Sequence, residues 1–220
     1  MSARDDILKR IRDARRPELK SEVPAVPEIY PRLSPDSETL KTRYEKELTA
    51  LSGTCFLLKS MDEAREKLGE LIAENDWNTF SSDAGGEPFL REVFPGGRWD
   101  SIYFGEPGGE TDKNRLASIP VSFVFPQLLV ADTGTAVVCN RSAHARLNCY
   151  LTPACVMFAR ASQLREHLPA AWSEIAKNVR NSELRGEYVF VTGPSRTADI
   201  ERVTILGVHG PKKVITLIVD

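Results

Sequence analysis

Short, wholly apolar runs alternate with amphipathic stretches along most of this chain. Cys55-Phe-Leu-Leu58 is apolar at every position, the pattern of a strand covered on both faces. Val156–Ala159, Tyr188–Thr192 and Val214–Val219 read the same way, and weaker strand signals lie at Trp77–Ser81 and Ser101–Phe104. Between the runs, apolar residues recur at helical spacing. Leu40, Tyr44, Leu48 and Leu51 form one stripe, in a helix predicted to open at Ser34-Pro35 and to stop at Gly53. Ala64, Leu68, Leu71 and Ile72 form another, opened by a capping box of Ser60 and Glu63. Ser162–Arg180 is predicted helical. The most apolar stretch, Ile119–Cys139, is broken by Pro126 and by Asp132-Thr-Gly-Thr135, and reads as strand, short helix, turn, strand. Together the pattern predicts an α/β domain with a mainly parallel central sheet flanked by helices.

The N-terminus is patterned differently. Ile7, Leu8, Ile11 and Ala14 fall on one face of a short charged helix, and Pro17, Pro24, Pro27, Pro31 and Pro35 follow it. Prolines at that density continue neither a helix nor a central strand. The expected organisation is an amphipathic helix with a Pro-rich arm over residues 1–34 and one α/β domain over 35–220.

Composition narrows the function classes. Of the 220 residues 41 % are hydrophobic, too many for a disordered chain, yet no run approaches the roughly 18 apolar residues of a membrane helix. The net charge of -2 speaks against a general nucleic-acid binder. The first residues lack the apolar core of a secretory signal, and the expected location is cytoplasmic. Cys55, Cys139, Cys149 and Cys155 form no CxxC pair, and the three histidines are scattered. No metal, no iron–sulfur cluster and no other cofactor is therefore expected on this chain. Cys55 and Cys139, set in apolar runs, read as buried reduced thiols.

Three loops carry candidate chemistry. Thr192-Gly-Pro-Ser-Arg-Thr-Ala-Asp-Ile-Glu201 follows a strand directly. Gly193 permits a sharp turn, Ser195 and Thr197 offer hydroxyls, and Arg196 offers a guanidinium. If Thr197 or Asp199 opens a helix, its free N–H groups join them, and the segment suits a small anion. It lacks the Walker and dinucleotide patterns. In the second loop Asp132, Thr133, Gly134 and Thr135 gather a carboxylate, two hydroxyls and a free backbone, with Asp132 a candidate base. The third is Gly207-Val-His-Gly-Pro211, where His209 beside Gly210 is the histidine best set for acid–base or ligand contact. Asp132, Ser195 and His209 are expected to line one cleft, with Asp132 and His209 as the catalytic pair. A nucleophile elbow is absent.

The three segments together, GPSRTADIE, GVHGP and ADTGT, resemble the lactate-utilization protein C family (LutC/YkgG, the LUD domain). The resemblance implies an α/β fold similar to ribose-5-phosphate isomerase, glucosamine-6-phosphate deaminase and CoA transferases. It also implies a role beside the iron–sulfur proteins of a bacterial lactate-utilization operon, in oxidation of L-lactate to pyruvate. The matching positions are Asp132–Thr135, Gly193, Pro194, Ser195, Thr197, Asp199, Glu201, His209 and Gly210. An auxiliary subunit that binds a small anion or a redox partner is the leading expectation. A stand-alone sugar-phosphate or acyl-CoA enzyme and a ligand-sensing module are the alternatives. No convincing nucleophilic Glu for a CoA transferase is found.

Overall fold

The computed structural model describes residues 3–14, 36–94, 99–105, 111–179, 186–197 and 205–220. The chain divides into two units, Met1–Pro31 and Arg32–Asp220. In the first, α1 (Ala3–Asp13) is an amphipathic helix with Asp5 and Asp6 in its first turn and Arg10 and Arg12 in its last, charges that suit the helix dipole. The Pro-rich arm and Ser34-Pro35 lie outside the described residues.

The second unit runs α2 (Ser37–Ala50), β1 (Thr54–Leu58), α3 (Met61–Glu74), β2 (Phe80–Ser82), α4 (Glu87–Val93), β3 (Ile102–Tyr103), α5 (Lys113–Ser118), β4 (Val121–Val124), β5 (Leu128–Val130), β6 (Thr135–Asn140), α6 (Ala143–Asn148), β7 (Ala154–Arg160), β8 (Leu164–Arg165), α7 (Leu168–Val179), β9 (Glu187–Val191), β10 (Arg196–Thr197), β11 (Ile205–Leu206) and β12 (Lys213–Val219). Six strands pair in parallel in the order β1-β12-β7-β4-β2-β3. The expected parallel central sheet is thus present. Two of its interior strands, β12 and β7, are the longest apolar runs, as burial on both faces requires.

One face of the sheet packs on α3 and α4 through Phe80, Phe123, Phe158, Leu68 and Leu217, with Phe80 and Phe123 stacked at 5.2 Å. On the other face lie α2 and a second, four-stranded sheet in the order β8-β5-β6-β9. β6 is the hinge between the layers. Ala136 and Val138 turn toward the central sheet, while Val137 turns outward to Ala171 and Ile175 of α7. This is the period-2 alternation of a strand buried on both sides.

Helix caps follow the sequence closely. The Ser60 hydroxyl accepts from the Glu63 N–H, the Glu63 carboxylate accepts from the Lys59 N–H, and Ala64, Leu68, Leu71 and Ile72 are the buried positions of α3. α2 starts later than expected, at Ser37, because Asp36 caps it through the Thr39 N–H. Lys41, almost wholly covered, bonds Asp220 at 2.6 Å and so ties the first turn of α2 to the chain beyond β12.

Four expectations need correction. Ile119–Cys139 holds three strands and no helix, because β5 turns back on β6 as an antiparallel hairpin. Ser162–Arg180 begins with a single helical turn and β8, and α7 opens only at Leu168. β9 is not a buried strand: it is the outer strand of the second sheet, and Phe190 is exposed against Trp172. Cys139 is half-buried, since it points outward from β6, whereas Cys55 is buried as expected. Burial pushes the Cys55 and Cys155 thiols up to about 12, which leaves them protonated and unreactive at neutral pH.

Candidate functional site

The two glycine loops of the second sheet meet on the last turns of α2. Gly134 has φ +60°, and a Cβ there would lie 2.5 Å from the backbone nitrogen of Leu48. Gly193 has φ +86°, and its Cβ position is 3.2 Å from Leu51. Both glycines therefore serve a left-handed turn and a close approach of loop to helix at once. The hydroxyls of Thr133, Thr135 and Thr192 form a chain across the two loops, each step 2.8 Å.

Ser195, His209 and Gly210 are brought together. The Ser195 N–H donates to the Pro211 carbonyl at 3.0 Å, and the Gly207 N–H donates to the Ser195 carbonyl at 2.8 Å. The His209 N–H reaches the Ser195 hydroxyl at 3.4 Å, and Gly210 packs on the Ser195 side chain. His209 itself is exposed at a hollow of about 340 Å³ shared with Tyr150 and Thr152. Of the two positions at which a helix could open, Thr197 stands in a strand and Asp199 lies outside the described residues. Arg196 and Thr197 form β10, paired antiparallel with β11. The Ser195 N–H is thus taken up by the Pro211 carbonyl, and the residues after Thr197, up to 204, lie outside the described ones. Arg196 is exposed; Asp199 and Glu201 lie outside the described residues.

Asp132 sits in a different electrostatic neighbourhood. Its N–H bonds the Glu166 carbonyl at 3.1 Å, and one carboxylate oxygen is buried without a hydrogen-bond partner. Burial raises its pKa, His167 and Arg43 pull it down, and Glu47 pushes it up. His209 is not among the charges acting on it.

A carboxylate raised in the folded state binds protons that the unfolded chain has released. The charged form then costs stability as pH climbs through the raised pKa, and the full cost stands at neutrality. Asp132→Asn is accordingly expected to raise the melting temperature at pH 7, by at most a few degrees because the group is partly screened by solvent. The gain should vanish near pH 4. A loss of stability at pH 7 would show instead that the charge is held by its neighbours.

Where these loops lie in the fold matters. Lys212 and Lys213 bond the Pro153 carbonyl, just before β7 and at the start of β12, and Leu51 stands just before β1. The motif loops thus gather at the amino end of the parallel sheet. Ligands of open α/β sheets bind at the other end, where the strand order reverses. Here β2 steps outward to β3, and the chain then returns to lay β4 on the opposite side of β2. The reversal falls between β2 and β4.

At the carboxyl ends of those two strands lies a cleft of about 410 Å³. Asp83, Gly85 and Gly86 follow β2, Val124 and Phe125 end β4, and Asn140 and Arg141 end β6. Gly86 is required by Phe125, whose ring would overlap any Cβ there at 1.9 Å. Beneath the cleft is a buried polar cluster that sequence reading missed. His144 Nε2 lies 3.0 Å from the Ser82 carbonyl and 3.3 Å from the Tyr103 carbonyl, and the Ser81 hydroxyl donates to Asn148 Oδ1 at 2.7 Å. Ser81 also lies 3.2 Å from His144 Nε2. The grouping looks like a nucleophile and its base, but two carbonyls at Nε2 require that nitrogen to carry a proton. His144 is therefore a donor that braces the ends of β2 and β3 and does not accept a proton from Ser81. The serines in wholly buried strands, Ser81 and Ser82 in β2 and Ser122 in β4, were the available signal.

The fold and this cleft define an open, parallel-sheet α/β protein with a ligand-sized opening at its topological switch point. Residues 41–219 match the LUD domain, and the chain belongs to that family. It is similar to lactate utilization protein C of Geobacillus sp. (strain WCH70), 25 % identical over 165 residues that span 71 % of this chain and 68 % of that protein. Lactate utilization protein C of Bacillus pumilus (strain SAFR-032) is 30 % identical over 45 % of this chain and 42 % of its own length. That of Bacillus subtilis (strain 168) is 26 % identical over 51 % and 47 %. The chain thus spans half or less of the latter two relatives. Among solved structures, a DUF162 family protein from Deinococcus radiodurans superposes with a TM-score of 0.61 at 12 % identity, covering 84 % of this chain and 99 % of that one, a likeness of fold. Among the described residues no helix is long and apolar enough to cross a membrane.

Proposed function

We propose that this chain serves lactate utilization, as an auxiliary subunit that works beside iron–sulfur proteins in the oxidation of L-lactate to pyruvate. The observation that carries the reading is membership of the LUD family together with relatives named lactate utilization protein C. The motif loops then divide into two tasks. Gly134, Gly193 and Gly210 hold the loops on α2 and on Ser195. Arg196, His209 and the exposed Ile205, Leu206 and Val208 present a mixed basic and apolar surface toward a protein partner. A small anionic ligand completes the reading.

Growth tests it. In a strain lacking this gene, the wild-type chain is expected to restore growth on L-lactate as sole carbon source. An Arg196→Glu, His209→Glu variant should melt like wild type, fail to restore growth and lose co-purifying iron. Normal growth of the deletion strain on L-lactate would overturn the proposal.

A further inference from the structure

We propose that the β2–β4 cleft is a binding site for a small, hydroxylated organic anion. This deepens the ligand half of the reading above and rests on a different part of the molecule from the motif loops. Asn140 is 4 % exposed and Asn148 is 1 % exposed, and both line the cleft. Both amide atoms of Asn140, and the Nδ2 of Asn148, are buried without a hydrogen-bond partner. What Asn140 does meet is the Cys149 thiol, a weak sulfur partner for its amide that burial keeps protonated, and this leaves its Oδ1 and the Asn148 Nδ2 unanswered. A covered polar atom left unpaired is costly, so folded proteins rarely gather several in one place without a use for them.

The chemistry of the lining selects the occupant. Asn140 Nδ2, Asn148 Nδ2 and the exposed Arg141 guanidinium are donors that call for oxygen acceptors, the last for a negative one. Asn140 Oδ1 and the Asp83 carboxylate are acceptors that call for a hydroxyl or N–H. A molecule with an anionic group and at least one hydroxyl meets both demands; a bare anion meets only the first. Ser142 caps α6 through the Ala145 N–H, and Asn148 is held by Ser81. The floor is therefore pre-set from both sides, as a binding site requires. The volume, about 410 Å³, lies in the range of small-molecule sites, roughly 300–1,000 Å³. A hydroxycarboxylate and a sugar phosphate share the chemistry described.

Calorimetric titration of the full chain with L-lactate, gluconate, ribose 5-phosphate, acetate and inorganic phosphate decides the matter. At least one hydroxylated anion is expected to bind at least tenfold more tightly than acetate and phosphate. Asn140→Leu and, separately, Arg141→Ala should each weaken that binding about tenfold or more. Arg141 is exposed, so its variant keeps the test valid if Asn140→Leu does not fold. Binding of gluconate or ribose 5-phosphate without L-lactate supports the cleft and removes lactate as its occupant. No binding by any probe, equal binding of the bare anions, or unchanged binding in Arg141→Ala would overturn the proposal, whatever the growth experiment shows.

Discussion

Replacing Gly134 by valine is expected to destabilise the protein by about 3 kcal/mol or more, a fall of roughly 6–12 °C in melting temperature. Two costs add at this position. The backbone holds φ +60°, which a β-branched residue adopts only with strain. A Cβ would also stand 2.5 Å from the Leu48 nitrogen and 2.9 Å from the Glu47 carbonyl carbon, both backbone atoms of α2 that cannot swing aside. Thermal unfolding followed by circular dichroism measures the effect. Gly69, whose Cβ position is open, is the control, and Gly69→Ala should be neutral or slightly stabilising in its helix. A Gly134→Val protein that melts like wild type would show that the loop can leave α2. If it then lost growth on lactate while stable, Gly134 would belong to a ligand site and not to the packing assigned to it above.

Truncating Phe123 to alanine is expected to cost about 3–5 kcal/mol, or roughly 6–20 °C. Phe123 lies in the middle of the parallel sheet and is wholly buried. Its ring stacks on Phe80 and meets Phe94 and Phe158 at 5.6 and 5.7 Å, so removing it leaves a cavity that three neighbouring rings cannot collapse to fill. Phe123 also borders the β2–β4 cleft, and the loss should weaken ligand binding beyond its effect on stability. Urea unfolding with Phe123→Leu in parallel checks the size dependence: the leucine variant should lose distinctly less. Equal losses would point to strain and not to a cavity.

The ranking of these effects follows from where the sequence concentrates its apolar residues. β4, β7 and β12 were all visible as apolar runs, and α3 was legible from cap to last turn, because Ser60, Glu63 and the Ala64–Ile72 stripe are local signals. The family was legible too, since GPSRTADIE, GVHGP and ADTGT stand as written in the chain and need no fold to be compared.

Other features depended on contacts between distant segments. Whether an apolar run is central or peripheral is set by its neighbours, so Tyr188–Thr192 looked like β12 in sequence and became an outer strand beside β6 only. Pro126 and Asp132–Thr135 marked breaks correctly, but that the middle piece pairs as β5 follows from Val137 lying opposite Leu128. The glycines of the motif loops drew notice as places for a ligand. Only packing revealed that the end of α2 occupies the space left by Gly134 and Gly193, and that Ser195 packs on Gly210. In the other direction, Asp83-Ala-Gly-Gly86, Asn140 and Asn148 carry no local pattern at all. They become a candidate site because the chain reverses its strand order between β2 and β4, and a reversal of order exists only in three dimensions. The sequence by itself therefore determined the class of fold, the caps and the kinship. Tertiary structure decided which end of the sheet holds the cleft and which polar side chains are left facing it, because those depend on strand order, which no local preference encodes.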